Sequence, residues 1–181
     1  MGSLFDGIGG FPLAAVRNGI RPVWASEIEA FPIEVTKQRF PGMIHVGDIT
    51  KLNGADLPPV DIITGGSPCQ DLSVAGARAG LAGSRSGLFM EQTRIVKEMR
   101  HADIQRGRPD VFARPRFMVW ENVPGAFSSG EPKGEDFRIV LVEIIRIVFD
   151  SVYVPRPYTG RWEESWTNST GRFFLPGVAR P

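Results

Sequence analysis

Short apolar runs alternate along the chain with stretches whose apolar positions recur every three or four residues, and glycines mark most of the joins. Ser3 to Asp6 predicts a first strand, followed by Gly7-Ile8-Gly9-Gly10 and a helix over Phe11 to Asn18 that Gly19 ends. Pro22 to Ser26 predicts a second strand, and Ile28 to Phe40 a helix closed by Pro41-Gly42. Met43 to Val46 and Val60 to Thr64 predict strands three and four, Leu88 to Arg100 a helix, and Arg116 to Trp120 a fifth strand. A last helix is predicted over Gly134 to Phe149, where Phe137, Leu141, Ile144, Ile145 and Val148 keep a 3.6-residue period.

Strand–helix alternation implies crossover units, so the expected fold is α/β: a Rossmann-like parallel sheet with helices on both faces. Ligands of such sheets bind beyond the carboxyl ends of the strands. Asp6, Glu27, Asp48, Gly66 and Glu121 all fall at predicted strand ends. Two stretches carry no convincing element. Residues 67–87 hold four glycines and read as a functional loop. After Asp150 the periodicity decays, which divides the chain into an ordered domain over 1–150 and an irregular segment over 151–181.

Composition changes this picture little. Among 181 residues, 21 Gly and 15 Pro are above the ordinary share and agree with many loops. The formal net charge is +1, so no bulk attraction draws the chain to nucleic acid or membrane. Of the 21 basic residues 17 are Arg, and most are expected on a solvated face. The single cysteine, Cys69, excludes an internal disulfide, and with only two histidines no metal site is expected. No apolar run approaches a membrane span and no signal peptide is legible, so the default compartment is the cytoplasm.

Three constellations carry chemistry. Glycines after strand one let a backbone approach a ligand, but Pro12 stands where a dinucleotide fingerprint needs its third glycine. Glu27, 20 residues after Gly7, is placed to accept ribose hydroxyls. A nucleoside ligand without a diphosphate fits that combination: S-adenosyl-L-methionine. Next, Gly65-Gly66-Ser67-Pro68-Cys69-Gln70 sets a thiol directly after strand four, where a nucleophile is reachable. Finally, Trp120-Glu121-Asn122-Val123 puts a carboxyl at the end of an apolar strand, where desolvation would favour a proton-donating form.

Together and in this order, these residues resemble the cytosine-5 DNA methyltransferases of bacterial or phage type, N-terminal catalytic part only. The likeness rests on Phe5-x-Gly7-x-Gly9-Gly10, Glu27, Gly47-Asp48-Ile49, Pro68-Cys69-Gln70, Ser84-Arg85-Ser86-Gly87-Leu88-Phe89 and Glu121-Asn122-Val123. The resemblance implies a cofactor pocket of Phe5, Gly7, Gly9, Glu27, Ile28, Asp48, Ile49, Pro68 and Leu88. In it Glu27 would hold the ribose and Asp48 the adenine amino group. It implies Cys69 as nucleophile on cytosine C6 and Glu121 as the acid at N3, making C5 reactive toward methyl transfer. It also implies a loop over 67–87 closing on double-stranded DNA, with Gln70, Ser73, Arg78 and Arg85 on the DNA side and the target base flipped out of the stack.

The likeness stops short of a whole enzyme. No Gln-x-Arg-x-Arg motif follows Glu121, since Gln105-Arg106-Gly107-Arg108 precedes it with the wrong spacing. The last strands and the target-recognition domain have no counterpart, and the sheet is expected to be incomplete on its C-terminal side. The isolated chain is therefore expected to bind cofactor weakly and to methylate DNA poorly or not at all, or to need a complementing C-terminal chain. A non-catalytic cofactor-binding fragment, a nicotinamide oxidoreductase and an RNA-directed enzyme of the same catalytic type are the alternatives.

Overall fold

The computed structural model describes residues 1–68, 87–149, 151 and 153–155, together with the backbone at 166–167 and 173–174. Five short parallel strands form the sheet: β1 (Gly2–Leu4), β2 (Trp24–Ser26), β3 (Ile44–His45), β4 (Ile62–Gly65) and β5 (Phe117–Trp120). Their order is β3-β2-β1-β4-β5. The chain thus steps one way from β1 through β3, returns past β1, and steps the other way. Right-handed crossovers then put α1 (Gly10–Arg17) and α2 (Ala30–Arg39) on one face and α3 (Gly87–Gln105) on the other. The reversal between β1 and β4 is the topological switch point where open α/β sheets bind ligands. α4 (Glu135–Ile145) follows β5 and packs on the start of α3.

The sequence dictates the packing through alternation. Leu4 and Ile63 turn to one face, where they join Trp24, Val60 and the α3 residues Ile95, Val96 and Met99 in one core cluster. Trp24 is fully buried, and its indole N–H donates to the Pro58 carbonyl at 2.9 Å. A second cluster joins Phe89 of α3 to Phe137, Val140 and Leu141 of α4. Trp120, at the end of β5, stacks on Phe137 at 6.1 Å and meets Phe89 edge-on at 5.8 Å. The residue after Trp120 is Glu121, so the aromatic cluster fixes the root of that side chain.

The end of α3 departs from expectation. α3 runs to Gln105, one turn beyond the Leu88–Arg100 span. Its last turn buries Asp103, which accepts from the Arg114 backbone N–H at 2.9 Å and guanidinium at 2.9 and 3.1 Å, and pairs with Arg108 at 2.9 Å. Most of the described arginines are exposed, as expected, but some brace the fold. Arg100 is buried and donates to the carbonyls of Ala113, Pro115 and Asp110. Arg94 lies between Glu91 and Glu98 and donates to the carbonyls of Leu52 and Ile49. These side chains brace the loops on either side of α3. Within 151–181 the backbone forms a two-stranded antiparallel ribbon, β6 (Trp166–Thr167) with β7 (Phe173–Phe174).

Candidate active site

Register aligns the site. Leu4 pairs with Ser26 on one side and with Gly65 on the other, and Gly65 pairs with Trp120. The next residues, Phe5, Glu27, Gly66 and Glu121, therefore leave the sheet side by side. β3 joins the row because the Ser26 hydroxyl donates to the Gly47 carbonyl at 2.7 Å.

At the β1–β2 end the backbone turns tightly. Phe5, Gly7 and Gly9 take φ of 53°, 54° and 85°. A β-carbon on Gly9 would lie 2.8 Å from the Phe40 ring and 2.9 Å from Thr36, so only glycine lets the turn sit against α2. On Gly7 or Gly47 a β-carbon would meet nothing within 4 Å, and those backbones face open space. Glu27 closes the turn: Oε2 accepts from Gly7 N–H at 2.7 Å, and Oε1 accepts from Ile28 and Glu29 N–H at 2.7 and 3.0 Å. A carboxylate oxygen can accept about two bonds; Oε1 is filled, and Oε2 keeps capacity for one ligand hydroxyl.

Asp48 caps a 3-10 turn over Ile49–Lys51 through Thr50, whose N–H and hydroxyl donate to Oδ1 at 2.9 and 2.8 Å. These bonds, the backbone one first, hold its carboxyl below the ordinary aspartate range. Asp48 therefore stays anionic at neutral pH.

Asp6, a strand-end residue that the family motif passes over, is only 5% exposed. Its Oδ1 accepts from the Ser3 hydroxyl at 2.5 Å, while Oδ2 is buried without a partner. Burial, aided by the Glu27 charge and opposed by Ser3, raises its carboxyl to about 6. An acid between a strand and a glycine turn was the available signal, but its burial is a tertiary property.

At the β4–β5 end, the Glu121 N–H donates to the Gly65 carbonyl at 3.0 Å. Its carboxylate lies over Gly66, so near that a β-carbon there would be 2.6 Å from Oε2. Glu121 is exposed, in contrast to the desolvated setting expected at the end of an apolar strand. The Trp120 indole N–H reaches the Ser67 hydroxyl at 3.4 Å. Gly66 and Ser67 are thus held against β5, and Pro68, exposed, follows them toward Cys69. Cys69, Gln70, Ser73, Arg78 and Arg85 lie outside the described residues.

The other expected pocket residues divide. Ile28 is exposed beside Glu27, and Phe5 is half-buried at the turn. Ile49 turns into the core at 4% exposure, and Leu88 packs against the same cluster, so their side chains support the wall from behind. Among the described residues no group of three or more acidic, histidine or cysteine side chains is placed to hold a metal. No described helix is long and apolar enough to cross a membrane.

Comparison with known proteins agrees with this geometry. The model of the C-5 cytosine-specific DNA methylase family matches residues 1–149. The chain belongs to that family. Type II methyltransferase M1.ScrFI of Lactococcus lactis subsp. cremoris is 37% identical over 139 residues, 76% of this chain and 31% of that protein. A methyltransferase of Escherichia phage P1, named for N-6-adenine, is 36% identical over 134 residues, 72% of this chain and 17% of that protein. A crystal structure of an E. coli prophage-encoded DNA modification methyltransferase aligns with TM-score 0.56 at 29% identity, covering 79% of this chain and 36% of that one. The family member described here thus spans about a sixth to a third of the curated relatives just named.

Proposed function

We propose that this chain carries the cofactor-binding and catalytic motifs of a DNA cytosine-5 methyltransferase, acting on double-stranded DNA in phage DNA modification or restriction–modification. The observation that carries the reading is the in-register row of strand ends. It sets Glu27 on the Gly7 turn at one end and Glu121 over Gly66, three residues before Cys69, at the other.

S-adenosyl-L-methionine fits the β1–β3 end. The open turns at Gly7 and Gly47 admit a ligand to the backbone, Glu27 Oε2 has capacity for a ribose hydroxyl, and Asp48 is an anionic acceptor for an adenine amino group. When bound, the cofactor supplies an electrophilic methyl group on a sulfonium. The chain's own residues do the rest. The Cys69 thiolate adds to C6 of a flipped cytosine, and Glu121 protonates or hydrogen-bonds N3, which transfers electron density to C5. After methylation a base or water takes the C5 proton, and the C6–S bond breaks to release the Cys69 thiolate. Gln70, Ser73, Arg78 and Arg85 are assigned to the DNA side. This exposed Glu121 acquires a desolvated setting when the DNA covers it.

A second reading is that catalysis needs further polypeptide. Among the described residues β5 pairs only with β4, and its Phe117 and Val119 are exposed. An apolar unpaired edge is a template for another strand, and a complementing C-terminal segment would cover it.

The cofactor assignment is tested by titrating the purified chain with S-adenosyl-L-methionine and with a nicotinamide dinucleotide. Binding of the first, weakened at least tenfold by Glu27→Ala, is expected. Preference for the dinucleotide would overturn the reading.

A further inference from the structure

We infer that Asp6 is the counter-charge for a cationic group of the bound cofactor, a carboxyl that ionises when the ligand's positive charge docks on the turn after β1. The inference rests on the pocket's reading as an S-adenosyl-L-methionine site.

The geometry fixes Asp6 in place. Its N–H donates to the Ser26 carbonyl at 3.2 Å and its carbonyl accepts from Gly9 N–H at 3.1 Å, so the end of β2 and its own glycine turn clamp it. Ser3 of β1 donates to Oδ1, and the Thr64 hydroxyl of β4 stands 3.5 Å from the Ser3 hydroxyl behind it. Oδ2 is buried with no partner. Among the described residues the charged group acting on it is Glu27, at the end of β2, of the same sign. A buried carboxyl facing another carboxylate is a place of negative potential without a cation.

The cofactor carries two positive groups, a sulfonium and an α-ammonium. A positive charge within about 4–6 Å favours the ionised carboxyl without touching it, so the limited access to Oδ2 is no obstacle. The free carboxyl, raised to about 6, is half protonated near that pH. Cofactor binding therefore releases the Asp6 proton to the buffer, and affinity rises with pH through the same window. Each unit by which binding lowers the carboxyl's pKa corresponds to about tenfold in affinity for the ionised form.

Calorimetric titration in two buffers of different protonation enthalpy tests this. With S-adenosyl-L-methionine the wild-type chain is expected to release about half a proton at about pH 6 and about a tenth at pH 7. Asp6→Asn is expected to abolish the release and weaken binding about tenfold at pH 7. Ser3→Ala, which removes the bond that lowers the carboxyl, is expected to move the release to higher pH. S-adenosylhomocysteine keeps the ammonium and lacks the sulfonium; release with both ligands assigns the ammonium, and release with S-adenosyl-L-methionine alone assigns the sulfonium. Methylthioadenosine, which is neutral, is expected to release none. An equal release with it, or binding of S-adenosyl-L-methionine with no release at about pH 6, overturns the inference. If the wild type binds none of these ligands, the pocket reading falls and this inference with it.

Discussion

The Glu121 carboxylate lies so close over Gly66 that a methyl group on Gly66 would stand 2.6 Å from Oε2. The contact joins the ends of β4 and β5 and relates the proposed acid to the segment that leads to the proposed nucleophile.

Gly66→Ala separates catalysis from folding. Glu121 is exposed and its carboxylate can swing aside, so the stability cost is expected to stay within about 1 kcal/mol. The displaced acid is expected to slow covalent addition to cytosine by about a hundredfold, the scale of a lost general acid. Thermal unfolding and single-turnover trapping measure the two effects separately.

Asp6 gives a stability test independent of any ligand. Its folded carboxyl is raised from 3.8 to about 6, so its contribution to stability is present below about pH 4 and lost as pH rises through about 6. Asp6→Asn keeps the shape and removes the charge. The variant is expected to equal the wild type near pH 4 and exceed it by about 2 kcal/mol at pH 8. Denaturant unfolding across that range reads the divergence, and parallel pH profiles would contradict it.

Asp103 is the opposite case. Hydrogen bonds from Arg114 hold its carboxyl below the usual range, so its contribution is present at neutral pH and lost only as pH falls below about 4. The carboxylate is 3% exposed, and Asp103→Ala leaves Arg108 and Arg114 without their anion. A loss of about 2–3 kcal/mol at pH 7 is expected, the lower end for a broken buried pair because both guanidiniums reach solvent. Equilibrium unfolding measures it.

Where local pattern and tertiary packing agree, the fold is legible from residues alone. All five sheet strands, and the acids at Glu27 and Glu121, fall within a residue or two of where periodicity and glycines put them. The misreadings share a cause: a polar residue whose partner is remote in sequence. Asp103 ends the apolar pattern of α3, yet Arg114, 11 residues on, buries it and extends the helix. Arg100 looks solvated until the carbonyls of Ala113 and Pro115 close over it. Asp6 has no periodic signature, and only the convergence of β1, β2 and β4 buries it.

The central claim is that Cys69 and Glu121 form one catalytic pair for cytosine. It is tested most directly by trapping on a duplex whose cytosines carry fluorine at C5, which blocks the final elimination. The chain is incubated with this DNA, S-adenosyl-L-methionine and a polypeptide carrying the C-terminal part of a family relative. The expected result is a denaturation-resistant protein–DNA adduct that mass spectrometry maps to Cys69, absent in Cys69→Ala and slowed in Glu121→Gln. No adduct from the wild type, or an adduct that persists in Cys69→Ala, would contradict the claim.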